Sequence, residues 1–373
     1  MKAHDTTSGS EEAKPYQEKL GDYSKHQQFA EDAGLDTDGS SYYKDTDEEG
    51  NGLDTAGQTV DMDDTGSLSV GAALIIAGSN GNAAGAAVNV ADRDIDFSAR
   101  IDNATIQAGS ITTASEADSL GVDVAAGIAA GSQSFGGAAS VTWQTQNNDI
   151  LAQVSDSTIT TDKLAVTADS SAKEVNVAGS VAYGGKAGIG AAVAYNKLSN
   201  QIQAYLAGGS VTNLTETGVD LDVTAANTSK LYAIGATVAA SKSAGLSGTA
   251  AINHGGSDTE AVIGEAEDAD GKTVTKEKTT LTNIADTNVE ATSSDTRLAV
   301  VGNVDIAGKV ALGGAVAYND VGGAGTGEAG QKTRAAMVNA ALTTTDAGKA
   351  SLHAADTSKL TTIGVGVGGA GKV

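Results

Sequence analysis

The stretch that decides the fold is Val175-Asn-Val-Ala-Gly-Ser-Val-Ala-Tyr-Gly-Gly-Lys-Ala-Gly-Ile-Gly-Ala-Ala-Val-Ala-Tyr-Asn196. Two alternating runs of small and β-branched residues flank a Gly-Gly-Lys break, and such alternation predicts half-buried strands. The pattern recurs as Leu231–Ala240 with Leu246–Asn253, and again as Leu298–Asn319. Aligning the asparagine that closes the second run gives Asn89, Asn196, Asn253 and Asn319, with Gln144 in the equivalent place. The intervals are 55, 52, 57 and 66 residues. A period of this length marks an array in which each copy buries its apolar surface against the next.

Further parts accompany each copy. A third run follows the asparagine (Gln201–Leu206, Thr259–Ile263, Thr333–Val338), then a short element such as Ser157-Thr-Ile-Thr-Thr161. Next come Leu164–Ala168 or Leu221–Ala225, and a polar stretch read as a bend: Asp169–Lys173, Asn227–Leu231, Asp356–Leu360. Val321–Gln331 reads as a glycine-rich surface-loop insertion in the last interval. Pro15 is the only proline, so nothing within the array interrupts a ladder. No stretch between the strands has helical period, which excludes a βαβ layout. The 13 aromatics of 373 residues are too few to fill a sandwich core.

The expectation is an all-β, parallel β-solenoid built from repeats of about 52–66 residues, with Ala, Val and Gly on the inward faces. Copies fall roughly at 66–116, 117–167, 168–225, 226–291 and 292–354, with a partial copy at 355–373. A coil of about 20–28 residues would place two or three coils in each period.

Residues 1–65 differ. They hold 17 Asp/Glu against 5 Lys/Arg, half of the chain's net charge of −24. They read as an acidic, poorly ordered or partly helical segment, with a marginal helix over Glu11–Ala33 and an acidic linker over Asp36–Asp64. Asp45-Thr-Asp47-Glu-Glu49-Gly50 matches the opening of a calcium loop, with oxygen ligands at positions 1, 3 and 5 and glycine at 6. Position 12 is Ala56 where a bidentate Glu belongs, so calcium through Asp45, Asp47 and Glu49 is a weak candidate.

Composition excludes several functions. A charge of −24 argues against nucleic acid as a partner and against anionic membrane surfaces. The low aromatic content argues against the girdles of a membrane barrel, so membrane insertion is not expected. Cysteine is absent, which removes disulfides and thiolate chemistry. Met1–Asp5 leads into polar residues rather than an apolar secretory region, and the array runs to Val373 in mid-copy, which reads as part of a longer chain.

No catalytic constellation is found, and no cofactor. His4, His26, His254 and His353 lack metal-ligand spacing, and His254 reads as a turn residue. Asp92, Asp94 and Asp96 alternate onto one face and are the best candidates for a glycosidase pair, with Arg93 and Arg100 read as balancing charges. Phe135 and Trp143 are unusual large residues of the divergent copy and read as core filling or an end-of-array adjustment rather than a ligand platform.

Ser157–Ala168, Ala226–Gly235 and Gly190–Asn196 resemble the repeat region of large bacterial filamentous adhesins, the filamentous-haemagglutinin and leukotoxin-type exoproteins. The resemblance covers roughly residues 66–373. It implies a non-enzymatic β-helical stalk, extracellular or held at the bacterial cell surface, that meets a receptor or glycan on a host or neighbouring cell. Self-association into filaments is the alternative, and a carbohydrate-active β-helix enzyme a more distant one.

Overall fold

The computed structural model of the protein describes residues 54–55, 58–59, 66–267, 272–322 and 330–371, and divides the chain into Met1–Ser67 and Leu68–Val373. In the first unit, β1 (Asp54–Thr55) and β2 (Gln58–Thr59) pair antiparallel, within the stretch read as a linker. The helix expected over Glu11–Ala33 lies outside the described residues.

All the remaining elements are strands, arranged coil by coil. The first coil holds β3 (Gly66–Ser79), β4 (Ala83–Asp102) and β5 (Thr105–Gln107). The second holds β6 (Ser110–Gly131), β7 (Phe135–Ser155) and β8 (Thr158–Thr160), and the third β9 (Lys163–Gly184), β10 (Ala187–Ala207) and β11 (Ser210–Thr212). The fourth holds β12 (Val219–Ser241) and β13 (Ala244–Ile263), followed by a hairpin of β14 (Glu265–Glu267) and β15 (Thr273–Thr275). The fifth holds β16 (Thr279–Ala307), β17 (Val310–Asn319) and β18 (Lys332–Met337), and β19 (Ala340–Ala370) opens a sixth.

Equivalent strands of successive coils pair parallel, as the repeats predict. The back sheet runs β3-β6-β9-β12-β16 with β19 beyond; the front sheet runs β4-β7-β10-β13-β17, with β18 also on β13. The short strands β5, β8 and β11 and the start of β16 close a third face at one end of each coil. Left-handed residues recur at the corner leading to that face: Asn103, Asp156, Gly208 and Asn339, with φ of 49°, 48°, 66° and 45°. Asn, Asp and Gly are the residues that adopt this conformation most readily.

One period is therefore one coil, not two or three. Residues facing each other in adjacent coils are 52, 53, 57 or 66 positions apart. The polar stretches read as bends lie inside strands: Asp169–Lys173 falls within the 22 residues of β9, and Asn227–Leu231 within the 23 of β12. Asn196 likewise lies mid-strand, since the second and third runs form one strand of 21 residues.

Several of the polar residues in the strand interiors bond one another across the coils. Asn200 Nδ2 donates to Asn227 Oδ1 at 2.8 Å, and Asn227 Nδ2 donates to Ser257 and Ser293 Oγ at 2.9 and 3.1 Å. A buried polar group with its partners in place costs little. The repeated asparagine forms a second ladder. Asn196 Nδ2 donates to Asn253 Oδ1 at 2.8 Å, and Asn253 Nδ2 to Asn319 Oδ1 at 2.7 Å. Both also reach across to the back sheet, at the carbonyls of Tyr232 (3.0 Å) and Leu298 (2.9 Å). Gln144 stands in this column, but Asn89 does not: Ala91 faces Gln144, while Asn89 faces Thr142 and donates to Asp123 at 2.9 Å.

These polar columns divide each coil. Toward the third face lies a wide half, whose core stacks Ile111, Leu164 and Leu221 against Ile150, Ile202 and Ile263 and includes Ile159, Val211 and Leu281. Fully burying each such side chain contributes about 1.5–3 kcal/mol. On the other side lies a narrow half, where Ala178, Ala192, Ala194, Ala233, Ala251 and Ala299 face inward. Its sheets approach so closely that a Cβ on Gly127 would lie 2.3 Å from the Ala139 carbonyl oxygen, and one on Gly188 2.4 Å from that of Ala240.

This reverses part of the sequence reading. Val175, Val177 and Val181 face outward, while Asn176, Ala178, Ser180 and Ala182 face in. The closely spaced sheets favour small residues inside, chiefly alanine, glycine, serine and threonine, so most of the valines take the outer side, with Val301 an inward exception.

Candidate functional site

The densest cluster of interacting charges sits on the outer face of the front sheet, in the wide half. Alternation on β4 places Asp92, Asp94 and Asp96 on this face, as expected. Register then brings Asp149 of the next coil beside Asp96, with Gln201 and Asp258 continuing the column. One column along lie Leu151, Gln203, Glu260 and Arg334; in the next are Arg100, Gln153 and Tyr205.

The β14–β15 hairpin folds back over this face. It leaves the fourth coil at Gly264, whose φ of +101° suits glycine. Gln153 holds it at the backbone: the Glu267 N–H donates to Gln153 Oε1 at 2.8 Å, and Gln153 Nε2 donates to the Glu267 carbonyl at 3.2 Å. Arg100 donates to Glu267 Oε1 at 2.6 Å, and Arg334 binds both Glu265 oxygens at 2.6 and 3.1 Å. Beneath, the fully buried Tyr205 donates to Glu260 Oε2 at 2.7 Å and lies 3.4 Å from Thr273 Oγ1. Lys332 also pairs with Glu260.

Electrostatics set these carboxyls apart. Asp149 reaches solvent, yet local desolvation and then the charges of Glu267, Asp96 and Asp94 push its pKa up to about 6, against the pull of Arg100. Burial would raise Glu260 too, but hydrogen bonds from Lys332 and Tyr205, with Arg334 nearby, outweigh it and hold its pKa low. Burial and the Glu260 charge push the Tyr205 phenol up, so it stays a neutral donor. The face thus holds one carboxyl whose pKa is raised, Asp149, and one whose pKa is held low, Glu260.

Other candidate residues are placed differently. Arg93 does not balance the exposed aspartates: it points inward, donates to the Leu120 carbonyl at 3.2 Å and pairs with Glu174, which is 1% exposed. Burial pushes Glu174 up to about 7, with Asp123 adding to the rise and Arg93 opposing it. Arg100 pairs with Glu267 of the hairpin. His254 lies within β13 rather than at a turn, with Nδ1 2.9 Å from Asp320 Oδ2. The exposed His353 lies 3.3 Å from Glu290. Trp143 is not core filling: it stands outside the narrow half, 43% exposed, stacked on Tyr195 at 4.1 Å.

Asp45, Asp47 and Glu49, with His4 and His26, lie outside the described residues. Among the described residues, no three His, Asp or Glu side chains come together to hold a metal ion, and no helix is long and apolar enough to cross a membrane. Sequence reasoning missed Asp149 and Glu267. Arg100 and Glu267 are 167 residues apart and meet only because the hairpin folds back, while Asp149 alternates like any outward strand residue. No protein family, curated protein or solved structure matched the chain.

Proposed function

We propose that the array is a structural and adhesive segment of a bacterial cell-surface or secreted protein: a non-enzymatic β-solenoid stalk that holds a variable outer face in register. The supporting observation comes from the back sheet in the wide half, where inner columns keep aliphatic residues over three successive coils while the outer columns beside them change chemistry. Inward, Ile111, Leu164 and Leu221 succeed one another, as do Val166, Val223 and Val289. Outward on the same strands, one column reads Ala114, Thr167, Thr224, Glu290, His353, and the next Glu116, Asp169, Ala226, Thr292, Ala355. An interior that repeats under a surface that varies presents different side chains every ~4.8 Å along the stack. This is the arrangement a display surface needs. The fitting partner is a receptor or glycan on a host or neighbouring cell, met by the polar wide half.

The test is binding of the labelled full chain to cell surfaces and a glycan array, alongside immunogold microscopy of the producing cells. Saturable binding and surface label are expected; failure of both overturns the proposal. A second reading, hydrolysis of carbohydrate, rests on Asp149 with its pKa near 6 beside Asp96 and Glu267. Release of reducing ends from a polysaccharide panel, lost on Asp149→Asn, would favour it. An inactive wild type removes it.

A further inference from the structure

Among the described residues, the outward side chains of the front sheet in the narrow half carry no charge; Lys186, Lys242 and Lys309 lie at the turns that close it. From Ala187 to Tyr195 on β10, from Ala244 to Ile252 on β13 and from Val310 to Tyr318 on β17, every outward side chain is Ala, Gly, Val, Leu, Ile or Tyr. Ala84 to Val90 on β4 likewise present only Ala and Val, and Phe135 to Trp143 on β7 present Phe, Gly, Ala, Val and Trp. Much of this surface is open to water: Val88 is 58% exposed, Leu312 60% and Val316 59%. It has relief as well. Ala86, Ala139, Ala191, Gly248 and Gly314 stack into a column of small residues. One column along stand Val88, Val141, Val193 and Val316, a ridge interrupted only by Ala250. Over β4, β7 and β10, Ala86, Ala139 and Ala191, with Phe135, Gly137 and Ile189, line an apolar trough of about 480 Å³ beside that ridge.

We propose that this face of the front sheet is a self-association surface that packs against the same face of a second copy. The proposal does not depend on the adhesive reading. A two-fold axis parallel to the stack, between trough and ridge, sets the valine ridge of each copy into the trough of the other, the self-complementarity an isologous dimer requires. The area suffices. Five strands at ~4.8 Å, each contributing ~30 Å of apolar length, give about 700 Å² per copy, close to the roughly 800 Å² per partner of a stable complex. A patch this large exceeds what a monomer ordinarily leaves in water. Lipid is the poorer occupant. Among the described residues, β4 and β17 end the front sheet, each with one unpaired edge, and hydrocarbon offers those groups no partner, whereas face-to-face packing leaves them in water. The acidic outward residues lie in the wide half, so their repulsion does not act within the contact.

Sedimentation velocity on the full chain tests this. A concentration-dependent species at twice the 36.8 kDa chain mass is expected. Trp143, the only tryptophan, borders the ridge, so its emission should shift to the blue as the dimer forms. Val193→Lys should raise the dissociation constant on the order of 100-fold, from burying an unpaired charge, and abolish the shift. Val177→Lys, outward on the back sheet, is the folding control and should leave both unchanged. A wild type still monomeric at about 100 µM, or a dimer indifferent to Val193→Lys, overturns the proposal. Monomers that bind zwitterionic phosphatidylcholine vesicles in place of pairing assign the face to lipid and overturn it equally.

Discussion

In the wide half of each coil, Ile150, Leu164 and Ile202 lie fully buried while Glu116, Asp149 and Gln201 face outward. In the narrow half the order is inverted: Ala178 and Ala194 lie fully buried, while Val181 and Ile189 stand 44% and 39% exposed. One chain thus builds the same ladder twice on different terms. The wide half is held by burial of large side chains, as a solenoid interior usually is. The narrow half hides little apolar area and rests on the backbone ladder, close Ala/Gly packing and side-chain amides that bridge the sheets. Equal lengths of strand need not contribute equally to stability.

If that division is right, the largest loss comes from truncating the wide core. Leu221→Ala removes a fully buried side chain that Leu164 and Thr287 flank in adjacent coils. It should cost about 4 kcal/mol, toward the upper end for a site that cannot collapse. Denaturant unfolding measures it, and a cost below about 1 kcal/mol would mean that this core is not what holds the coil.

Glu174 probes the boundary between the halves. Its pKa is raised in the folded state to about 7 from 4.5, chiefly by burial, with Asp123 adding to the rise and Arg93 opposing it. The folded protein therefore holds this proton more tightly than the unfolded chain does. Its favourable contribution is complete below about pH 4.5 and is lost as pH rises toward 7. Relative to Glu174→Gln, the wild type should lose up to about 3 kcal/mol across that window. Thermal unfolding of both proteins from pH 4.5 to 8 reads the difference, and parallel pH curves would show that burial does not perturb this carboxyl.

The asparagine ladder should matter less. Asn253→Ala removes one of the two acceptors of Asn196 Nδ2, which keeps the Tyr232 carbonyl, takes the Asn253 donor from Asn319 Oδ1, and frees the Leu298 carbonyl. A cost of about 2 kcal/mol follows from unsatisfied buried groups. Hydrogen exchange should show it as faster opening of β13 and β17 before the wide core responds.

Much of this was legible in the sequence, and the reasons for the misses are physical. Repetition from Asn196 to Asn253 to Asn319 gave the parallel stack, because identical positions must meet when each coil lies on the next. Strand length was hidden because Asn227 and Ser229 look like turn residues until the opposing sheet and the next coil supply their partners. Facing was hidden for a different reason. In Val175–Tyr183 both alternate sets are compatible with burial, valines on one side and small residues on the other, and a one-residue change of phase exchanges them. The acidic cluster was half visible. Asp92, Asp94 and Asp96 are adjacent in sequence, but Asp149 and Glu267 join them only through the coil register and the returning hairpin.

The smallest effect is the most direct test of the inversion. Val177 faces outward on β9 between Val124 and Ile234 of neighbouring coils, whereas Ala178 beside it is fully buried. Threonine keeps the β-branch and nearly the volume of valine, so Val177→Thr should leave the unfolding midpoint within about 0.5 kcal/mol of wild type, as for a surface change. The same exchange at Val223, fully buried on β12, places an unpaired hydroxyl in the wide core and should cost about 1–3 kcal/mol. Were both substitutions costly, the valines of the narrow half would be covered in solution, and the back sheet would have a partner of its own. Were both harmless, burial would not distinguish the two halves. Only the unequal pair fits a coil that is apolar inside at one end and apolar outside at the other.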